Sequence, residues 1–162
     1  MSRWFRQYGY APVGNELVAG ALPLDEEDVE RLSALSIDSV FNLCEDAEYP
    51  EDRRERVATA LDAAGIREHR MPLIDYGNLS ADRIEHAVGE IVALLDGGDR
   101  VYLHCRAGWQ RSAVIAAAVI MVRENQAPLD ALATLRRRKP NAEPLPHQRI
   151  DLLRWSAARA AR

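Results

Sequence analysis

The sequence predicts an α/β domain built on one central, mostly parallel, twisted sheet of about four to five strands flanked by helices. Three observations carry this. Short β-rich runs alternate with longer segments of helical period, the pattern of strand–helix crossovers in a parallel sheet. The longest apolar run, Ala113–Val122, is ten residues, well short of the about 18 that a membrane span needs and apolar on every side, as a helix packed into a core is. Finally, 162 residues without linker, repeat or low-complexity tract make one domain, residues 1–162, large enough to bury a proper core.

The elements follow in order. No element is assigned ahead of Asn15, and Asn15–Pro23 reads as a short strand and turn at the sheet edge. Asp25 opens an acidic helix, matched to the helix dipole, that runs to about Leu35. Ser39–Leu43 is β-rich and of strand length. Pro50 starts a helix to about Ala64, which Gly65 terminates. Ile66–Met71 is the next strand. Ser80 caps a helix whose apolar stripe is Ile84, Ala87, Val88, Ile91, Leu94 and Leu95, and Gly97-Gly98 end it. Arg100–His104 is the central strand, and the buried helix follows it. Pro128 opens a helix to about Arg138, and Pro146 a last one to about Trp155.

Composition narrows the function classes. Hydrophobic residues at 48% and charged residues at 28% are ordinary for a globular protein. A net charge of −4 argues against general nucleic-acid binding. The first residues lack a secretory apolar region, and two cysteines make no disulfide framework, so a reducing cytoplasmic setting is expected. His69, His86 and His147 lack metal-ligand spacing to any cysteine or carboxylate, and neither a metal nor another cofactor is expected. The arginines at 53, 54 and 56 and the run Arg136–Lys139 read as solvated helix faces.

The chemistry concentrates in Val101-Tyr-Leu-His-Cys105-Arg-Ala-Gly-Trp-Gln-Arg111-Ser112. A strand ends in a cysteine, a short loop follows, and an arginine opens the apolar helix. The loop amides of Arg106, Ala107, Gly108, Trp109 and Gln110 lack intrahelical partners and can converge on an anion, reinforced by the helix dipole. Gly108 permits a positive φ or a close backbone approach. Cys105 sits in the same positive field, which favours the nucleophilic thiolate. Arg111 can fold back over the cradle, where its planar fork matches two phosphoryl oxygens at once. Ser112 can donate a hydroxyl to the sulfur, and His104 is read as orienting the loop through a backbone hydrogen bond.

This His-Cys-x5-Arg-Ser pattern resembles the signature of the cysteine-based protein tyrosine phosphatase superfamily, specifically its dual-specificity branch. The likeness covers roughly residues 15 to 155 and includes Arg138-Lys139-Pro140-Asn141-Ala142 and Gln148. It implies a phosphatase that hydrolyses phosphotyrosine and phosphoserine or phosphothreonine through a cysteinyl-phosphate, with Cys105 as nucleophile and Arg111 as phosphate clamp. The family places a general acid about thirty residues before the cysteine. Asp75 in Met71-Pro-Leu-Ile-Asp-Tyr76 stands there, and Asp82 is the competing aspartate, placed instead in the first turn of a helix. Related phosphatases carry an Asn-Leu-Cys at the end of a neighbouring strand, which makes Cys44 a candidate redox partner of Cys105.

The implied partner is a phosphorylated protein or peptide, bound by a monomer without a membrane span. The alternative substrate is a phosphoinositide or inositol phosphate, favoured by the basic Arg106 directly after the cysteine and by Trp109, and disfavoured by the neutral Gln110. A catalytically inactive phospho-binding module is the third reading, set against the presence of every reacting part.

Overall fold

The computed structural model describes residues 1–162. Its five strands form one sheet in the order β1-β2-β5-β3-β4, with β1 Tyr10–Gly14, β2 Leu17–Gly20, β3 Ser39–Asn42, β4 Arg67–Arg70 and β5 Val101–His104. The strand that leads to Cys105 is therefore central, as predicted. It pairs in parallel on both sides, Leu103 facing Ala19 of β2 and Phe41 of β3. Every residue of β2, β3 and β5 is buried, the condition of strands covered on both faces. The edge strand β4, Arg67-Glu68-His69-Arg70, is polar and partly exposed, which protects an open edge from further pairing.

Seven helices cover the sheet: α1 Arg3–Tyr8, α2 Glu26–Ala34, α3 Arg53–Ala63, α4 Ala81–Asp96, α5 Arg111–Glu124, α6 Pro128–Arg138 and α7 Pro146–Ala160. One face packs Phe5, Val29, Leu32, Val57 and Leu61 of α1, α2 and α3 against Val18, Val40 and Tyr102. The other face packs α4, α5, α6 and α7 into the larger core. α5 lies at its centre, with every residue from Arg111 to Ile120 buried. It ends at Asn125 in the left-handed conformation, a C-terminal stop that asparagine tolerates. Truncating one of its large side chains, such as Ile115, is worth about 2–5 kcal/mol.

The structure corrects several sequence expectations. β2 is not at the edge, because β1 covers it in an antiparallel hairpin that turns at Glu16, φ 58°. Pro12 fits that outer strand because it can spare an N–H there. A six-residue helix, α1, precedes β1; Ser2 caps it by accepting a hydrogen bond from the Phe5 N–H. Its shortness hid its period. α3 starts at Arg53 rather than Pro50, because Pro50–Asp52 form a turn with Glu51 at φ 45°. A single 3-10 turn, Asp46–Glu48, lies ahead of it. α7 continues past Trp155 to Ala160.

The basic run also departs from expectation. Arg136 and Arg137 are solvated, but Lys139 is 2% exposed and its ammonium donates to the Asn141 side chain. Burial pulls its pKa down to about 8. The arginines of α3 are not bare either: Arg54 pairs with Glu68 at 2.6 Å and Arg56 with Glu26 at 2.7 Å.

Candidate active site

β5 delivers Cys105 to the carboxyl end of the sheet, and residues 106–110 loop from there to the first turn of α5. None of the backbone N–H groups of those five residues donates to a protein acceptor. Donors free in such a turn, at a helix N-terminus, form a ready cradle for an anion. The loop is held from outside: the Arg106 carbonyl accepts from the Leu22 N–H at 3.1 Å, and the Trp109 carbonyl accepts from the Glu143 N–H at 2.7 Å.

Gly108 has φ +73°, and a Cβ there would stand 2.5 Å from the Gly20 carbonyl carbon. The close approach that this glycine permits is thus to the end of β2. Gly20 is itself required to be small, since a Cβ on it would meet the Tyr102 hydroxyl at 2.3 Å. Two glycines in contact set how near the loop lies to the sheet.

The Cys105 Sγ lies 3.2 Å from the Ser112 Oγ, as the signature implies. His104 is 1% exposed, and burial lowers its pKa to about 4, so the ring is neutral. Its Nδ1 lies 3.2 Å from the Cys105 carbonyl oxygen, the backbone contact expected of it. The same nitrogen is 3.9 Å from the Cys44 Sγ. Burial pushes the Cys44 thiol well above its ordinary pKa, and the neighbouring Cys105 adds to this. Cys44 is therefore a protonated thiol one strand away from Cys105.

Arg111 is fully buried. Its Nη1 donates to the Leu73 carbonyl and to Glu48 Oε2, both at 2.8 Å, and its Nη2 donates to Glu48 Oε1 at 2.6 Å. Nη2 also lies 3.1 Å from Asp75 Oδ1. Burial is the largest influence and works against the charge, but the Glu48 hydrogen bonds, together with the electrostatic influence of nearby Cys105, Cys44 and Glu48, raise the Arg111 pKa above its ordinary value. Burial likewise opposes the Glu48 carboxylate, and Arg111 holds its pKa below the usual range regardless. The Arg111 Nε–H is buried and donates to nothing in the chain, which leaves it for a phosphoryl oxygen.

Asp75, Cys105 and Arg111 line one cavity of about 330 Å³, together with Arg106, Ala107, Trp109 and Gln110. The loop that carries Asp75 is braced from α7. Gln148 donates to the Gly77 carbonyl at 3.1 Å, His147 lies 3.0 Å from the Tyr76 carbonyl, and Asp151 accepts from the Leu79 N–H at 2.8 Å. Asp82 stays in the first turn of α4, exposed and outside the cavity.

The structure thus places Cys105, Arg111 and Asp75 on one cavity, with Ser112 beside the Cys105 sulfur and His104 buried behind it. Sequence reasoning missed Glu48, which no spacing relates to Cys105, and the α7 contacts, of which only Gln148 carried a signal. It also missed Trp4, Tyr8 and Tyr76 on the cavity wall. No group of side chains in the chain is arranged to hold a metal.

Comparison with known proteins agrees with this geometry. A profile of the dual specificity phosphatase catalytic domain matches residues 25–158. Cyclin-dependent kinase inhibitor 3 of Mus musculus is 24% identical over 111 residues, covering 68% of this chain and 53% of that protein. The Rattus norvegicus counterpart is 25% identical over 112 residues, with the same coverage of 68% and 53%. The chain spans about half the length of these curated relatives. Among solved structures, a mutant form of Tk-PTP superposes with TM-score 0.83 at 21% identity over 95% of this chain and 98% of its own. PTPMT1 superposes with TM-score 0.79 at 24% identity over 94% of this chain and 99% of its own. Human DUSP28 does so with TM-score 0.72 at 19% identity over 93% of this chain and 95% of its own. The structures share the fold, and the matched catalytic-domain profile spans most of the chain: the protein belongs to the dual specificity phosphatase family.

Proposed function

We propose that the protein hydrolyses phosphate monoesters, phosphotyrosine and phosphoserine or phosphothreonine in proteins, through a cysteinyl-phosphate on Cys105. One observation carries this reading: a cysteine, an arginine with a free buried Nε–H, four loop residues with unpartnered amides and an aspartate meet in one cavity. Those donors suit the charge on the equatorial oxygens of a phosphoryl group in transfer. The Cys105 sulfur attacks phosphorus while the bond to the ester oxygen breaks, and Asp75 gives that oxygen its proton. In the second half, water attacks the same phosphorus, Asp75 takes a proton back, and phosphate leaves as the thiolate re-forms. Ser112, 3.2 Å from the sulfur, stabilises that departing thiolate.

A phosphoinositide or inositol phosphate substrate would use the same steps. The fold likeness to PTPMT1, one structure of which holds PI(5)P, and the basic Arg106 give this second reading its support. A monomer in a reducing, cytoplasmic setting suits a mechanism that depends on a free thiolate. The direct test is phosphate release from phosphopeptides and short-chain phosphoinositides by wild type and Cys105→Ser. Release by the wild type alone is expected; release by Cys105→Ser, or by neither protein, would overturn the proposal.

A further inference from the structure

The family match starts at residue 25, yet one wall of the cavity comes from before it. α1 is firmly attached. Phe5 is fully buried in the core beneath it. The buried Asp28 carboxylate accepts from the Ser2 N–H at 2.8 Å and the Ser2 hydroxyl at 2.6 Å. Trp4 and Tyr8, four residues apart, therefore share one helix face, and their ring centroids are 4.3 Å apart. The Trp4 indole N–H donates to the Arg106 carbonyl of the phosphate loop at 2.9 Å. The Tyr8 ring meets Trp109 edge to face at 5.1 Å. With Tyr76 beside the acid, four aromatic rings surround the cradle: Trp4, Tyr8, Tyr76 and Trp109.

The cations of the same cavity are few and engaged. Arg111 is held by Glu48 and Asp75, and the Arg106 guanidinium lies 5.4 Å over the Trp4 ring. Lys139, the chain's single lysine, is buried and does not line the cavity. A second phosphate on a substrate would find Arg106 alone, its guanidinium already stacked on Trp4, whereas a flat ring would find aromatic side chains on several sides.

We infer that Trp4 and Tyr8 of α1, with Trp109 and Tyr76, form a wall that selects aryl phosphates, the phosphotyrosine side chain above all, over alkyl phosphates. The inference rests on the phosphatase reading and names the preferred substrate class of that site. A phenolic ring stacked among these rings is worth aromatic contacts that a phosphoserine methylene cannot make.

The test compares two peptides of one sequence, phosphorylated on tyrosine or on serine, with a short-chain phosphatidylinositol phosphate as third substrate. Wild type should favour the phosphotyrosine peptide in kcat/KM. In Tyr8→Ala the ratio of kcat/KM for phosphotyrosine over phosphoserine should fall by roughly 2- to 12-fold, the scale of one lost aromatic contact. Trp4→Phe, which keeps a ring, should retain more of the ratio than Trp4→Ala. If Tyr8→Ala does not fold, Tyr8→Leu in a Cys105→Ser background gives the same comparison through peptide binding alone. An unchanged ratio, or a preference for the phosphoinositide in the wild type, would overturn the inference while leaving the phosphatase reading intact. Absence of turnover on all three substrates would instead remove that reading, and this inference with it.

Discussion

Glu48 grips Arg111 through both carboxylate oxygens, at 2.6 and 2.8 Å, with the guanidinium wholly out of solvent. The pair fixes the plane of the guanidinium before substrate binds and leaves its buried Nε–H without a partner in the chain. Removing one partner of a buried pair leaves an uncompensated charge. Glu48→Ala should lose about 3 kcal/mol of stability by urea unfolding and at least about tenfold in kcat. Glu48→Gln should retain more stability than Glu48→Ala. Wild-type kcat in Glu48→Ala would show that Arg111 needs no such holder.

Asp75 shares the cavity with Cys105, and its carboxylate lies 3.1 Å from Arg111. General acid catalysis contributes about 10²–10⁴-fold, and most where the leaving oxygen is basic. Asp75→Asn should therefore lose most activity on alkyl phosphates and least on p-nitrophenyl phosphate. Equal losses across a leaving-group series would exclude Asp75 as the acid.

Gly108 combines a positive φ with a contact that no Cβ can enter, 2.5 Å from the Gly20 carbonyl carbon. Gly108→Ala should cost at least about 2 kcal/mol in strain and displaced backbone. Thermal unfolding measures that loss, and weaker inhibition by tungstate should report the displaced loop. A variant with wild-type Tm and inhibition would mean the loop accommodates the methyl group.

Burial holds the folded-state pKa of His104 at about 4, against 6.5 in an exposed histidine. The unfolded chain thus binds a proton there that the native state refuses. Stability from this group is full above about pH 6.5 and falls as pH drops toward 4. His104→Asn should flatten the dependence of unfolding free energy on pH between 7 and 5, measured in urea. An unchanged slope would place the acid sensitivity elsewhere.

Cys44 and Cys105 lie diagonally across the β3–β5 pair, two residues beyond Asn42 and one beyond its partner His104. Peroxide should oxidise Cys105 to the sulfenic acid, and attack by the Cys44 thiol should then expel water and form a disulfide. Dithiothreitol should restore activity in the wild type but not in Cys44→Ser, where oxidation proceeds to irreversible acids. Mass spectrometry should find a linked Cys44–Cys105 peptide. Finding only over-oxidised Cys105 would remove Cys44 as a redox partner.

The sequence by itself determined the parts whose physics is local. Hydrophobic period and end signals located β5, α4 and α5, and the run from His104 to Ser112 declared its chemistry because strand, loop and helix N-terminus are contiguous. The Pro-x-x-Asp loop was legible only through the family resemblance, which implies an acid about thirty residues before the cysteine. Tertiary structure decided what depends on contacts between distant segments. It chose Glu48, 63 residues from Arg111, to orient the guanidinium, and α7 to brace the Asp75 loop. It also buried Lys139 in a run that reads as solvated, and it brought Trp4 across to the Arg106 carbonyl, 102 residues away. A charged or aromatic side chain in a loop has no period that reveals its partner. Only closing the chain around the sheet determines which of them meet.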